Sequence, residues 1–458
     1  MGFFKAYDMR GTYGVDFDLG LVRRIGRALP RVVKGGRWLV GRDCRTTGGD
    51  VCSALVSGLA EAGAKVDDLG LATTPMVYFF TAKGGYDGSV MVTASHNPPG
   101  DNGLKVSMRT ALPVGYANGL NEVERLAAAD AETQRPVEGA APCAPCRAAA
   151  DPDALARYVE WQKAATDGAS FAGLRYAVDC SSGMASLLVR ELFPGAVVVN
   201  DALDGTFPAH SPNPLKEEAR EQVAALVREK GLDCGVIFDG DADRAMFVDE
   251  RGEFVQPDYL IPLVARATLA AQGAASAGRP LVLHDVRTSR GAIEALREMG
   301  FEPSMVQVGH AFAKPAMRER GALCGGELAG HYYFSEFFGC DSGVLAARRI
   351  LSEVAAAKAR GETFSQMMGP ITSRYDNSGE MNFRVEEKDL AIARVLETAK
   401  SFGEETGRSE IDGVRLEFAD GWINVRKSNT EPYLRLIVER RGDVGPWVEA
   451  LKAAIDAR

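Results

Sequence analysis

Sequence features that define several common protein classes are missing from this chain of 458 residues. It contains no Gly-x-Gly and no Gly-Lys pair, and the absence of the Rossmann fingerprint and the Walker A loop disfavours a dehydrogenase or a P-loop kinase. The most apolar long stretch, residues 259–278, includes Arg266 and Gln272, whereas a membrane span needs roughly 18 uninterrupted apolar residues. The N-terminus has no apolar segment typical of a signal peptide, so we expect a cytoplasmic protein.

Clusters of metal-binding cysteine and histidine are also scarce. The chain has five histidines and eight scattered cysteines, of which only Cys143 and Cys146 have metal-like spacing, with no second pair. We interpret the cysteines as free thiols in a reducing cytosol. The net charge of −9 argues against a nucleic-acid partner but allows a small anionic substrate that is bound by local cations. We expect no membrane partner, and this charge would keep either a monomer or a dimer soluble.

What is present is an ordinary globular composition, with 46% apolar and 25% charged residues. Three stretches, which begin near Arg37, Leu174 and Pro280, repeat one pattern: a short apolar run, a polar turn, a helical segment and a second apolar run. This pattern predicts three related α/β domains with mixed, mainly parallel sheets. From about Gly369 the pattern changes to that of an α+β domain. We predict domain limits at 1–148, 149–252, 253–368 and 369–458.

The first candidate motif is TASHNPPGDNGLK, residues 93–105, which follows a strand-like segment. A serine just beyond a strand end, in a rigid Pro/Gly loop, is well placed to react, although the same residues are typical of a simple turn. A Ser-His hydrolase is disfavoured because neighbouring side chains in an extended segment point to opposite faces, which would separate Ser95 from His96. The chain also lacks the G-x-S-x-G motif.

The second motif is DGDADR, residues 239–244, which follows an apolar strand. Three carboxylates at alternate positions repel one another unless a hard cation lies between them, and oxygen ligands favour Mg²⁺ or Ca²⁺. An EF-hand is the competing interpretation, because Glu250 would occupy the twelfth loop position. However, Arg244 stands where that loop needs glycine, and the flanking segments are strand-like. A solvated turn is the remaining alternative.

Two further motifs carry polar side chains in permissive loops. GGELAGH, residues 325–331, combines a glutamate and a histidine with three glycines, and a glycine-rich corner is an equally good interpretation. RKSNTEP, residues 426–432, brings together cations, hydroxyls, an amide and backbone N–H groups after a strand. These groups could hold a phosphate, or they could form an exposed polar turn.

Taken together, in this order and at domain-sized intervals, the four motifs resemble the α-D-phosphohexomutase superfamily, most closely bacterial phosphomannomutase/phosphoglucomutase. The resemblance begins at YDMRG, residues 7–11, and extends to the C-terminal domain. It implies three related α/β domains and an α+β domain around a central active-site cleft. It also implies reversible transfer of phosphate between the 1- and 6-positions of mannose and glucose phosphates, through a phosphoserine and a hexose 1,6-bisphosphate. Mg²⁺ is the implied cofactor and the bisphosphate an activator.

The resemblance also assigns roles to residues. The implied phosphoserine is Ser95, and the implied metal ligands are Asp239, Asp241, Asp243 and the phosphorylated Ser95. The other implied catalytic residues are Arg10, His96, Lys105, Arg244 and His331, with the proton acceptor left open between Lys105 and His331. The implied substrate contacts are Tyr7, Arg287, His310, Lys314, Glu327, Arg426, Ser428, Asn429 and Thr430. Arg42, Asp43 and Arg45 match a further stretch of the family, and we expect them to form ion pairs near the cleft.

One departure from the family pattern affects the predicted substrate. The family usually has serine where this chain has Ala329. The loss of one hydrogen bond, worth about 0.5–1.5 kcal/mol, would alter affinity or epimer preference without abolishing activity. The alternatives are therefore a phosphoglucosamine mutase or another mutase for N-acetylated sugars, a Mg²⁺-dependent sugar phosphatase, and a sugar-phosphate-binding regulator.

Overall fold

A computed structural model of the chain describes residues 2–133, 147–148, 151, 153–166, 171–273, 278–428 and 433–457. The Cys143/Cys146 pair and the predicted site residues Asn429 and Thr430 lie outside these residues. The described chain forms four β-sheets, each built from one stretch of sequence. None of the described helices is long and apolar enough to cross a membrane.

The first unit is a seven-stranded mixed sheet with the strand order β1-β5-β4-β2-β3-β7, and β6 pairs with β5. Strand β2 runs parallel to β3 and β4, whereas β5 is antiparallel to β1 and β4. Its strands are β1 (Met9–Thr12), β2 (Arg37–Arg42), β3 (Lys65–Leu71), β4 (Gly88–Val92), β5 (Asp101–Met108), β6 (Leu112–Pro113) and β7 (Arg147–Ala148). Its helices are α1 (Leu19–Val32), α2 (Gly48–Glu61), α3 (Thr74–Lys83) and α4 (Leu120–Thr133).

The second unit is a five-stranded sheet with the order β12-β11-β10-β8-β9. Strands β8, β9 and β10 are parallel, as the repeated sequence pattern predicts. The connection after β8 is a short 3₁₀ turn and a four-residue helix rather than the longer helix that we expected. The elements are α5 (Ala154–Ala165), β8 (Tyr176–Asp179), α6 (Val189–Leu192), β9 (Val197–Val199), α7 (Glu217–Lys230), β10 (Cys234–Phe238), β11 (Ala245–Val248) and β12 (Phe254–Val255).

The third unit has a five-stranded sheet with the order β14-β13-β15-β16-β17. Strand β13 is parallel to both β14 and β15, and the remaining pairs are antiparallel. The elements are α8 (Ile261–Gln272), β13 (Leu281–Asp285), α9 (Arg290–Glu298), β14 (Glu302–Val306), α10 (His310–Glu319), β15 (Cys324–Gly326), β16 (Tyr332–Phe334), β17 (Cys340–Asp341), α11 (Gly343–Ala359) and α12 (Phe364–Thr372).

The fourth unit is an antiparallel six-stranded sheet, with the order β18-β23-β22-β21-β20 and β19 paired to β23. The elements are β18 (Asp376–Asn377), β19 (Met381–Phe383), α13 (Lys388–Ala399), β20 (Glu405–Ser409), β21 (Val414–Phe418), β22 (Gly421–Lys427), β23 (Leu434–Arg440) and α14 (Gly445–Asp456). Short 3₁₀ helices at Arg109–Ala111, Tyr116–Asn118, Met184–Leu187, Pro257–Leu260, Ser335–Phe337 and Lys400–Phe402 complete the described chain.

Residues of the three α/β units form one continuous apolar core, and each of these units also has a separate apolar cluster, whereas the fourth unit contributes only to a core of its own. Helix α3 is at the centre of the shared core. Its sequence is apolar on nearly every face, which is typical of a helix with no solvent-exposed side, and Met76, Val77 and Phe79 are all buried. The first three units are therefore held together by hydrophobic packing.

The predicted fold class is confirmed, with three related α/β units followed by an α+β unit. The predicted limit at 252 precedes β12, which pairs within the second sheet, and the limit at 368 falls inside α12. The first two predicted motifs follow the ends of β4 and β10, and the other two begin with the last two residues of β15 and of β22. Loops beyond the carboxyl ends of strands are the usual place for ligands in α/β sheets.

Candidate active site

A buried arginine holds the serine loop. Ser95 is the third residue beyond the end of β4 and is fully buried. The Arg45 guanidinium donates hydrogen bonds to four backbone carbonyls, those of Ser95 (2.8 Å), Asn97 (2.6 Å), Pro98 (2.6 Å) and Asp101 (2.8 Å). Asp43 balances the charge at 3.3 Å. The expected ion pair is confirmed for Arg45 and Asp43, and the Arg45 hydrogen bonds also fix the path of the loop, whereas Arg42 donates to the backbone carbonyl of Asp43 at 3.3 Å.

The expectation that Ser95 and His96 point apart is wrong. The backbone at Ser95 adopts a left-handed conformation, with φ of 53°, instead of an extended one. As a result, His96 Nδ1 lies 3.3 Å from Ser95 Oγ. Burial, together with the cations of Arg244 and Arg10, lowers the pKa of His96 well below its usual value, so the ring is neutral. The Ser95 hydroxyl itself donates to Asp239 Oδ2 at 2.8 Å.

The aspartate loop brings three carboxylates to one point. Asp239, Asp241 and Asp243 are buried, and one oxygen of each lies within 4.8 Å of the others. Lys105 lies between two of them, with its Nζ 2.7 Å from Asp241 Oδ2 and 2.5 Å from Asp243 Oδ2. The backbone of the aspartate loop packs closely against the serine loop at Gly240. A Cβ at this position would lie 2.6 Å from the Ser95 carbonyl oxygen, so only glycine fits without a shift.

The electrostatics of this cluster fit a hard cation. Burial and the charges of Asp243 and Asp241 raise the pKa of Asp239 well above its usual value. Asp241 Oδ1 and Asp243 Oδ1 are buried and have no hydrogen-bond partner among the described residues. A set of carboxylate oxygens with unused acceptors suits Mg²⁺ or Ca²⁺. The three aspartates therefore fit the implied metal.

The EF-hand alternative is wrong. The aspartate loop is followed by strand β11 instead of a helix, and this strand pairs antiparallel with β10. Glu250, the candidate twelfth ligand, accepts hydrogen bonds from the backbone amide (3.0 Å) and the hydroxyl of Ser365. Its carboxylate is therefore held by the start of α12.

A second buried network surrounds His331. Its Nδ1 lies 2.7 Å from Asp341 Oδ2, and its Nε2 accepts a hydrogen bond from Arg244 Nε at 3.0 Å. This pattern assigns the proton to Nδ1. Lys314 Nζ lies 2.8 Å from Asp341 Oδ1 and 3.6 Å from the centre of the Tyr78 ring. Asp341, which no sequence motif indicated, therefore links two predicted site residues.

The two candidate proton acceptors are both engaged in this structure. Burial opposes the charge on Lys105, but Asp241 and Asp243 outweigh it and raise the pKa of the ammonium group, so Lys105 is protonated. The lone pair on His331 Nε2 already accepts a hydrogen bond from Arg244 Nε. Lys105 would have to lose its own proton, and His331 would have to lose the hydrogen bond from Arg244, before either could accept a proton.

The predicted sugar loop places Glu327 just beyond β15. Its carboxylate is buried, with Oε1 2.5 Å from the Tyr333 hydroxyl and Oε2 3.7 Å from Arg287 Nη2. Arg287 donates to Asp285 Oδ2 at 2.6 Å. Burial and the charge of Asp285 raise the pKa of Glu327, while His331, Arg287 and the Tyr333 hydroxyl act in the opposite direction.

The predicted phosphate loop brings arginines to a carboxylate. Arg426, at the end of β22, donates to Glu380 Oε1 at 2.7 Å, and Arg435 Nη1 lies 3.0 Å from Glu380 Oε2. Arg287 Nη1, from the third unit, lies 3.6 Å from the same oxygen. Burial opposes ionisation of Glu380, but these three cations lower its pKa to about 2. Ser428 follows directly, and its amide donates to the Tyr433 carbonyl at 2.9 Å.

Of the remaining predicted residues, Tyr7 and His310 join the first and third units, and Arg10 contacts the serine loop within the first unit. The Tyr7 hydroxyl donates to the Val308 carbonyl at 3.1 Å, and its ring centre lies 6.1 Å from that of His310. Arg10 Nε donates to Asp8 at 2.8 Å, and its Nη1 approaches the Ala94 carbonyl at 3.4 Å. These contacts thus link the described site predictions, which come from all four units, into one continuous cluster, which we take as the candidate cleft.

Sequence reasoning missed several residues of this cleft. They are Thr74, Glu380, Tyr333 and Asp341. The Thr74 hydroxyl donates to Asp241 Oδ2 at 2.5 Å, and its amide, in the first turn of α3, donates to the Asp241 carbonyl at 3.1 Å. Each missed residue acts on a motif residue from a different strand or helix. An acidic or hydroxyl side chain near a strand end was the only available signal, and it is common.

Comparison with known families assigns all four units of the chain to one family. The models of the phosphoglucomutase/phosphomannomutase family match in order: alpha/beta/alpha domain I at residues 1–134, domain II at 153–252, domain III at 256–375 and the C-terminal domain at 380–457. The chain therefore belongs to the phosphoglucomutase/phosphomannomutase family. It is an enzyme of the isomerase class, a phosphohexomutase.

Individual proteins give the same assignment. The chain is 36% identical to a protein of Xanthomonas campestris pv. campestris (strain B100) described as "Phosphohexose mutases", over 96% of this chain and 95% of the relative. It is 36% identical to a phosphomannomutase of Salmonella montevideo, over 98% and 96%. A crystal structure of a phosphoglucomutase/phosphomannomutase family protein from Burkholderia thailandensis matches with a TM-score of 0.83 and 30% identity, over 99% and 98%.

Proposed function

We propose that this protein interconverts the 1-phosphates and 6-phosphates of mannose and glucose, through a phosphoserine at Ser95 and a bound hexose 1,6-bisphosphate. The observation that carries this proposal is the position of the Ser95 hydroxyl, 2.8 Å from Asp239 in a cluster of three buried carboxylates. A cluster of arginines on the fourth and third units faces the same cleft. One end of the cleft would carry out the transfer, and the other would hold the second phosphate.

The metal would lie at the aspartate loop. Asp239, Asp241 and Asp243 would hold Mg²⁺ together with an oxygen of phosphorylated Ser95, and the bound ion would supply positive charge next to the phosphoryl oxygens. Lys105, Arg244 and Arg10 lie around this loop and would stabilise the charge that spreads over those oxygens during transfer. His96, which is neutral, would donate or accept a hydrogen bond at Ser95 Oγ without adding charge.

The sugar would lie between the two ends of the cleft. Glu327 and His331 would contact its hydroxyls, with Tyr7, Arg287, His310 and Lys314 at the edges. The non-reacting phosphate would bind to Arg426, Ser428, Asn429 and Thr430. A hydroxyl of the sugar would attack the phosphorus of phosphorylated Ser95, the bond between phosphorus and Ser95 Oγ would break, and Oγ would take up a proton as it leaves. The proton of the sugar hydroxyl would pass to His331 Nε2 once Arg244 has moved away from it, or to Lys105 Nζ once the ammonium group has lost its own proton. The bisphosphate then turns round and returns its other phosphate to Ser95.

A trace of hexose 1,6-bisphosphate would activate the enzyme by phosphorylating Ser95. We place the reaction in the cytoplasm, because the described cysteines are free thiols, as a reducing compartment would keep them.

A coupled turnover assay tests this function. The protein, with Mg²⁺ and a trace of glucose 1,6-bisphosphate, is given mannose 1-phosphate, glucose 1-phosphate and glucosamine 1-phosphate in parallel. We expect conversion of the first two to 6-phosphates. A strong preference for glucosamine 1-phosphate would replace the substrate but keep the mechanism. Release of free phosphate would indicate a phosphatase, and binding without turnover would indicate a regulator; either result would overturn the proposal.

A further inference from the structure

Two neighbouring tyrosines on β16 send their hydroxyls to opposite sides of the sheet. Tyr332 and Tyr333 are both buried, and consecutive residues of a strand face opposite ways. The Tyr332 hydroxyl donates to the Pro257 carbonyl at 2.9 Å, away from the cleft. The Tyr333 hydroxyl donates to Glu327 Oε1 at 2.5 Å. The pairing of Gly325 with Tyr333 in the β15–β16 hairpin fixes this approach.

The Tyr333 hydroxyl is the only hydrogen-bond donor to the Glu327 carboxylate among the residues that the structure describes. The neighbouring Ala329 offers no hydroxyl, and Arg287 Nη2 is 3.7 Å from Oε2, beyond hydrogen-bond distance. Because Oε1 is held by Tyr333, the carboxylate plane is fixed and Oε2 keeps an acceptor position for a ligand. A buried carboxylate without this donor would be expected to turn toward Arg287.

We propose that Tyr333 is a positioning residue for the sugar: its hydroxyl holds the Glu327 carboxylate in the orientation that accepts a hydrogen bond from a sugar hydroxyl. This inference rests on the proposed function, in which Glu327 contacts the sugar. It adds a specificity determinant outside the four motifs, on the strand that follows the sugar loop. Tyr333 acts through Glu327 and does not itself contact the reacting phosphate.

The charges around Glu327 predict a pH signature. The titratable groups that face this carboxylate are His331, Asp285, Arg287 and Tyr333. Burial and Asp285 raise the pKa of Glu327, and the Tyr333 hydrogen bond is one of the contacts that lower it. Removal of the hydroxyl should therefore raise the pKa of Glu327 further. As the pH falls, the variant would therefore lose a substrate contact that needs the ionised carboxylate at a higher pH than the wild type does.

The test compares Tyr333→Phe with the matched control Tyr332→Phe. Each variant loses one buried hydroxyl and one hydrogen bond from adjacent positions on the same strand. We expect Tyr333→Phe to raise KM for the hexose phosphate about 5- to 20-fold with a smaller change in kcat, and to move the acidic limb of kcat/KM to higher pH. Tyr332→Phe should leave KM and the pH profile at wild-type values. If Tyr333→Phe does not fold, Tyr333→Met, whose flexible side chain fills irregular buried space, takes its place.

A double-mutant cycle with Glu327→Gln separates positioning from general packing. If Tyr333 acts through Glu327, its substitution should have little further effect on KM in the Glu327→Gln background. Equal KM effects of Tyr333→Phe in both backgrounds, or wild-type kinetics for Tyr333→Phe, would overturn the inference while the proposed function stands. If the wild-type protein itself converts no hexose phosphate, the proposed function has failed, and the inference with it.

Discussion

The two ends of the cleft balance their charges in different ways. At the serine end, Ser95, the three aspartates and Lys105 belong to units that share one hydrophobic core, and each has partners that belong to the reaction site. At the phosphate end, Arg426 and Arg435 belong to a unit with its own core and share the carboxylate of Glu380, and Arg426 Nη1 also lies 4.0 Å from Asp412 Oδ2. In the proposed function, the residues of the first end already lie in place, whereas at the second end a phosphate would have to take the place of Glu380.

The contacts between the third and fourth units support this difference. Arg415 of the fourth unit donates to the backbone carbonyls of Val286 (2.6 Å) and Thr288 (3.0 Å) in the third. The amide of Arg290, in the third unit, donates to Glu439 at 2.7 Å. These contacts are polar, unlike the apolar packing that joins the first three units. Polar interfaces between domains are typical of units that move relative to one another, so we expect the fourth unit to move when a ligand binds at the phosphate end.

The comparison predicts the largest effect at the serine end. Asp241→Asn removes one of three converging charges, and we expect kcat to fall on the order of 10²–10³-fold, because the charge arrangement that stabilises the transferring phosphate is lost. Chelation of divalent ions should inactivate the wild-type enzyme in the same way. Steady-state kinetics with the coupled assay measure both effects.

Asp249→Asn is the matched control, because Asp249 is also buried but is not one of the candidate site residues. Its Oδ1 accepts hydrogen bonds from the backbone amides of Arg251 and Glu253, both at 2.9 Å. Its kcat should stay near the wild-type value. Wild-type turnover by Asp241→Asn, or full activity in the presence of a chelator, would contradict the metal assignment.

An intermediate effect is expected from the arginine that holds the serine loop. Arg45→Lys keeps the charge but cannot donate to four carbonyls, because an ammonium group lacks the planar fork of the guanidinium. We expect kcat to fall about 10- to 100-fold through misplacement of Ser95, with KM little changed. Arg37→Lys is the control, since Arg37 is exposed and donates to one carbonyl, that of Gly84, at 2.8 Å. Equal kcat values for the two variants would show that the Arg45 hydrogen bonds are not needed to position the serine loop.

The smallest effect is expected at the phosphate end. Glu380→Gln removes the carboxylate that Arg426 and Arg435 share, so inorganic phosphate should bind about 3- to 10-fold more tightly, since it no longer competes with that negative charge. Calorimetric titration of the protein with phosphate measures this. Weaker binding would show that Glu380 is needed to orient Arg426.

The same residue gives a pH test. The pKa of Glu380 is lowered from 4.5 to about 2 in the folded protein, so its ion pairs contribute stability that is present above pH 4.5 and is lost as the pH falls toward 2. The difference in the free energy of unfolding between the wild type and Glu380→Gln should therefore shrink over that range. A constant difference would contradict the assigned ion pairs.

Much of the fold and many site residues could be predicted from the sequence, because they depend on local patterns. The strand and helix periodicity indicated the α/β units, and the four motifs indicated the loops that contain Ser95, Asp241, Glu327 and Arg426. The conformation of Ser95 could not be predicted, because a left-handed φ at a non-glycine residue is imposed by surrounding contacts. The contact with His96 was therefore missed.

The supporting residues could not be predicted for a different reason. Thr74 and Asp241 are 167 positions apart, and Lys105 and Asp241 are 136 positions apart. A sequence pattern indicates which face of a strand or helix is buried, but not which element of another unit will pack against it. The same holds for Tyr333 and Glu380, because the role of each depends on a contact with Glu327 or with Arg426 that only the structure shows.

The measurement that tests the account most directly is the location of the phosphoryl group. The protein is incubated with glucose 1,6-bisphosphate and Mg²⁺, and the modified peptide is identified by mass spectrometry, with Ser95→Ala in parallel. We expect one phosphoryl group on Ser95, its transfer to added hexose phosphate, and none on the variant. A phosphoryl group on another residue, or its full retention in Ser95→Ala, would contradict the assignment of Ser95 as the carrier.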